Sequence, residues 1–252
     1  MSHRSSSSPW STSLLFVFAL AACGGPTKRD LLKPLQPRLS AVRADLKDAL
    51  PTLPEVGSVT TVELPDGMSI DDDNGSEDDT IIIAAEALRA PSDARQDEPL
   101  EVGFAYRHRF LTCLRDTADG RQSGEELGDA AYEADCRRAS EARFALVYRV
   151  AKLVPARFEQ PAGGELTYEP GSVAVEWFVF ALPTSGKPTR VGQFATRVVT
   201  PDTLSVEAEP NKPIDMLAAR TEAAAVMSQA TLAEAAKVLA TKAKHVDLDP
   251  AK

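Results

Sequence analysis

The residues Val173 to Leu182 read Val-Ala-Val-Glu-Trp-Phe-Val-Phe-Ala-Leu, and no stretch of the chain restricts its fold more. Alternation places Val173, Val175, Trp177 and Val179 on one face of a strand. Phe178, Phe180 and Leu182 fall on the other. A strand with apolar side chains on both faces must be buried on both, so this one belongs in the middle of a sheet. Glu176 interrupts the run. Two readings of it compete: a salt-bridged or edge carboxylate, and one member of a hydrolytic carboxylate pair. The first is favoured, because nothing marks a second carboxylate as its partner.

Further strands follow from the same pattern. Phe144 to Leu153 sets Phe144, Leu146, Tyr148 and Val150 on one face. Pro183 to Pro188 is rich in turn residues, so Arg190 to Val199 is expected to return antiparallel to the central strand. Val59 to Leu64 is expected as another strand, ended by Pro65-Asp66-Gly67. Thr80 to Ala87 begins β-like and ends helix-like, and Thr203 to Ala208 is read as a short strand.

Helical patterns appear at four places. Leu39, Val42, Leu46 and Leu50 recur at steps of three and four, closed by Pro51 and Pro54. Leu100 to Asp116 fits both periods; its length and its Leu-Arg-Asp end favour a helix. Ser123 and Glu126 form a capping box for a helix running to about Ser140. The C-terminal segment, from about Pro213 to Lys244, places Ile214, Leu217, Thr221, Ala224, Ser228, Thr231, Ala235 and Val238 at heptad-like spacing. A second capping box, Thr231 to Glu234, offers a break in that helix. The fold class expected is α+β: a mainly antiparallel sheet covered by helices, with a long C-terminal helix. There is no internal repeat.

The N-terminus says where the chain goes. Met1 to Ser13 is polar and carries Arg4, Leu14 to Leu20 is apolar, and Ala21 and Ala22 are small. The apolar run is too short to cross a hydrocarbon layer of ~30 Å, so this is a secretory leader. Leu20-Ala21-Ala22-Cys23 resembles the lipobox of bacterial lipoproteins. The resemblance covers the leader alone. It implies attachment of diacylglycerol to the Cys23 sulfur and then cleavage before Cys23, with palmitate among the acyl chains carried. Gly24, where an Asp often signals inner-membrane retention, implies an outer-membrane site facing the periplasm. The competing reading is an ordinary secretory leader with an incidental cysteine.

This gives a provisional organisation: residues 1–22 a signal peptide, 23–29 a lipidated tether, 30–245 one globular domain and 246–252 a flexible tail. Removal of residues 1–22 takes Arg4 away, leaving 230 residues with 27 basic and 37 acidic side chains and a net charge of −10. That balance argues against nucleic acid and against a polybasic grip on anionic lipid. With Cys23 in the anchor, Cys113 and Cys136 remain. In an oxidising compartment a disulfide is the natural reading; two buried thiols or a metal site are the alternatives.

His108 and His245 are the histidines beyond the leader, and no Gly-x-Ser-x-Gly elbow accompanies them. His108 is read as structural and His245 as part of the C-terminal tail. Asp71 to Asp79 suggests a calcium loop, but placing Gly75 sixth puts Ile70 first, where an Asp ligand is needed. It reads instead as a solvated acidic loop. No phosphate loop or zinc motif is present, and Trp177 with its neighbouring Phe residues reads as core. No catalytic, metal or cofactor residue is assigned. The expectation is a non-enzymatic, lipid-anchored envelope protein with a structural, assembly or adaptor role and an envelope protein as partner. The alternatives are a tethered module binding a small or cationic ligand through Asp71 to Asp79, and a carboxylate-based hydrolase.

Overall fold

The computed structural model describes residues 32–71, 79–89, 113, 129–159, 167–204, 216–243 and 245–247. The centre is a four-stranded sheet. Helix α1 spans Gln36–Ala49 and runs into a 3₁₀ turn at Leu50–Thr52. Strand β1 is Ser69–Asp71, β2 is Thr80–Ala84, and α2 follows at once as Ala85–Arg89. Helix α3 is Asp129–Glu141 and β3 is Phe144–Val154. Strands β4 (Arg157–Glu159) and β5 (Thr167–Glu169) pair with each other. The long strands β6 (Ser172–Ala181) and β7 (Thr189–Val199) precede helix α4, Met216–Leu239, and strand β8, His245–Asp247.

Strand order in the main sheet is β2-β3-β6-β7. The β3–β6 and β6–β7 pairs are antiparallel, and the β2–β3 pair is parallel. The α+β class with a mostly antiparallel sheet and a long C-terminal helix is therefore present, with one parallel pair at its edge. β6 is central, as its two apolar faces require. On one face Phe178, Phe180 and Leu182 meet Leu39, Val42 and Leu46 of α1, Leu88 of α2 and Cys136 and Ala139 of α3. On the other Val173, Val175, Trp177 and Val179 meet Met227, Leu232, Ala235 and Leu239 of α4. Trp177 stacks on Phe194 at 5.7 Å between ring centroids, and its indole N–H donates to the Thr196 hydroxyl at 2.9 Å. It is a core residue with its polar handle satisfied.

Three expectations need correction. The fourth strand is Thr80–Ala84, not Val59–Leu64, which contributes a single bridge from Glu63 to Gln193. Ile81, Ile82 and Ile83 bury all their side chains, whereas Thr60, Thr61 and Val62 remain exposed. α4 does not break at Thr231: its hydroxyl donates back to the Met227 carbonyl at 2.7 Å, inside a continuous helix. The buried stripe of α4 is Ala219, Ala223, Met227, Thr231, Leu232, Ala235 and Leu239. Leu217, placed on the stripe by heptad spacing, is 74% exposed. The helix follows steps of four rather than a 3.5-residue repeat, because it packs on a sheet and not along a second helix.

His245 lies in β8, which runs parallel to β1 with Val246 opposite Ile70. Burial of Ile70 gives that strand its partner, so ordered pairing extends into residues expected as a tail. The expected strand over Thr203 to Ala208 and helix over Leu100 to Asp116 lie largely outside the described residues. Cys113 of the latter is helical and is joined to Cys136 of α3, with 5.4 Å between the Cα atoms. The disulfide is buried in the α1-side core.

A cross-link over 23 residues restricts the unfolded chain by roughly 3 kcal/mol. Replacing both Cys113 and Cys136 by Ser should therefore lower the urea midpoint of the full-length chain by that equivalent. An unchanged midpoint, with the wild-type disulfide verified as formed, would show that the bridge does not constrain this fold.

Candidate functional site

Glu176 lies opposite Arg149 across β6 and β3. Their side chains project to the α1 side, one row beyond Phe178 and Val147. Both are buried, with side-chain exposures of 2% and 8%. Arg149 Nε donates to Glu176 Oε2 at 2.7 Å. Its Nη2 donates to the carbonyls of Pro54 and Glu55, at 2.7 and 2.9 Å. Glu176 Oε1 accepts from the backbone N–H groups of Gly57 and Val59, at 3.0 Å each. The guanidinium also lies 5.0 Å from the centroid of the Phe178 ring.

The segment after α1 is thus held across the sheet by two charged side chains. Pro51 and Pro54 prevent the helix from continuing, and the chain crosses the sheet without a ladder to satisfy its backbone. The ion pair supplies what the ladder does not: two acceptors' worth of donors from Arg149 and one acceptor for two N–H groups from Glu176. Gly57 sits at φ +83°, the left-handed region that lets N–H groups on both sides of Ser58 reach one oxygen.

This arrangement decides between the two readings of Glu176. Its carboxylate is a fixed anion with both oxygens engaged, and it faces a backbone segment, not a cleft. That is the salt-bridged reading. Arg149 was not singled out by sequence. The signal was present: Arg149 interrupts the apolar run of β3 as Glu176 interrupts that of β6, and antiparallel pairing can set the two face to face.

The other residues named from sequence are dispersed. Cys23 and His108 lie outside the described residues, as does most of Asp71 to Asp79. Asp79 is described, and it organises the start of the sheet. Its Oδ1 accepts from the Ser69 N–H at 2.9 Å and the Thr80 hydroxyl at 3.1 Å. Its carbonyl accepts from the N–H groups of Arg143 and Phe144. Among the described residues no group of three or more His, Cys, Asp and Glu side chains is arranged to hold a metal, and no helix is long and apolar enough to cross a membrane. No protein-family model matches the chain, and no curated protein or solved structure matches it significantly.

Removing one member of a buried pair leaves the other charge uncompensated. Glu176→Ala and Arg149→Ala should each destabilise the protein by roughly 3–5 kcal/mol. The double replacement Arg149→Met with Glu176→Leu should recover only part of this. It restores an apolar interior but leaves the backbone groups at 54–59 without their partners. Urea unfolding and hydrogen exchange at Gly57 and Val59 measure both effects. A cost below about 1 kcal/mol for either single variant would show that the pair does not hold this segment.

Proposed function

We propose that this chain is a lipoprotein of the bacterial cell envelope, held in the bilayer by acyl chains on Cys23. It acts there as a non-enzymatic structural, assembly or adaptor component. The observation that carries this reading is Leu20-Ala21-Ala22-Cys23, placed directly after a short apolar run. Two or three acyl chains make attachment stable where one would not.

The folded part is consistent with export. A buried disulfide between Cys113 and Cys136 suits an oxidising compartment. Glu176, the one carboxylate that the sequence offered to a hydrolase, is engaged through both oxygens in holding the 54–59 segment. The adaptor role follows from the anchor together with a compact, acidic domain. The outer membrane is assigned on Gly24 after the acylated cysteine.

Metabolic labelling with an alkyne palmitate analogue tests the anchor. The wild-type chain should incorporate label and fractionate with membranes, and Cys23→Ala should do neither. A labelled Cys23→Ala chain would overturn the anchor assignment. Cross-linking in intact cells tests the role: a stoichiometric envelope partner recovered with wild type and lost in Cys23→Ala is expected. A clean monomer in both would remove the adaptor reading.

A further inference from the structure

Strand β7 forms one edge of the main sheet. Gln193 exchanges both backbone hydrogen bonds with Glu63 on its outer side, at 2.7 and 2.8 Å. Its N–H and C=O therefore point away from β6. Alternation sends those of Ala195, Arg197 and Val199 outward too, while Phe194, Thr196 and Val198 carry the ladder to β6. The segment that pairs with Gln193 does not follow β7 further. By Val59 it has climbed onto the sheet face, where its N–H is bonded to Glu176. Among the described residues no strand pairs with the outer side of Ala195 to Val199.

The side chains along this edge are exposed. Arg197 ends a cross-strand row, Lys152–Ala174–Arg197, and Val199 ends the next, Val154–Ser172–Val199. Val154 and Val199 are 41% and 59% exposed. Neither Lys152 nor Arg197 has an ion-pair partner among the described residues. Two cations beside two exposed valines, on a chain of net charge −9, form a local inversion of the protein's overall sign.

We propose that this edge receives an extended, acidic segment of a partner protein as an added β-strand. A carboxylate of that segment lies opposite Arg197, within the field of Lys152, and apolar side chains lie opposite Val199 and Ala195. Charge selects the occupant. Antiparallel pairing of two copies centred on this window would set Arg197 against its own copy, and like charges directly opposite are destabilising. An edge arginine thus rejects self-association, the usual hazard of an open edge, and admits an acidic strand. The chain itself already places an extended segment bearing Glu63 on the same edge. The proposal rests on the adaptor reading only for where the partner resides.

The test uses the purified full-length chain and two labelled peptides, Thr-Val-Thr-Glu-Thr-Val-Thr and its counterpart with Lys in place of Glu. Fluorescence anisotropy should show the Glu peptide binding about tenfold more tightly, since the exchange removes an attraction and adds a repulsion. Arg197→Glu should reverse the preference. Ala195→Pro removes an outward N–H and leaves the ladder to β6 intact, so it should abolish binding of both. Circular dichroism confirms that each variant is folded. Equal affinities, no binding of either peptide, or binding that survives Ala195→Pro would overturn the proposal. So would a dimer in sedimentation that Ala195→Pro dissolves, which would assign the edge to a second copy. Cys23→Ala should bind the peptides as wild type does, so a failed anchor and a failed docking edge read out separately.

Discussion

The contact between Arg149 and Glu176 ties together parts of the chain that sequence separates widely. It joins β3 to β6 on the α1 side and draws the segment after α1 down over the sheet. Burial of two charges is expensive, and their attraction alone seldom offsets it. Here the charges also satisfy backbone groups at Pro54, Glu55, Gly57 and Val59. Those groups would otherwise face an apolar sheet with no ladder. The pair thus solves a problem that the two prolines create, and it fixes where the layer of helix and loop on that face ends.

Where that layer ends has consequences for the surface. Up to the row of Glu176 the α1-side face is covered by α1, α3 and the 54–59 segment. Beyond it the rows of Ala174 and Ser172 are only partly covered, and their flanks on β3 and β7 are exposed. The opposite face is treated differently, because α4 runs along it from Ala219 to Leu239. Among the described residues the same sheet is therefore covered along its length on one side and only in part on the other. Among the described residues, an unpaired strand edge and a partly covered face meet at Arg197 and Val199.

Much of the fold was legible before any coordinates. The face assignments of β3 and β6 follow from period-2 alternation and hold residue by residue. The boundary between β2 and α2 falls inside Thr80 to Ala87, where composition changes from isoleucine to alanine. The failures have common causes. Val59 to Leu64 has the composition of a strand, but Glu176 offers its backbone a different partner, and tertiary bonding overrides propensity. α4 is so rich in alanine that its apolar stripe can be drawn at several phases. Only contact with Phe194, Trp177 and their neighbours selects one.

The sequence by itself determined the acidic balance, a lipobox-like Leu20-Ala21-Ala22-Cys23 after a short apolar run, an even pair of cysteines beyond it in Cys113 and Cys136, and a central strand at Val173 to Leu182. These rest on local chemistry or on periodicity, which survive without knowledge of neighbours. The tertiary structure alone decided that Glu176 is a structural anion, that Arg149 is its partner, that Thr80–Ala84 rather than Val59–Leu64 completes the sheet, and that no described strand pairs with the outer side of β7 from Ala195 to Val199. Each depends on which strands become adjacent and in what register. Register is a property of the packed whole, since shifting one strand by a residue would exchange every inward side chain for an outward one.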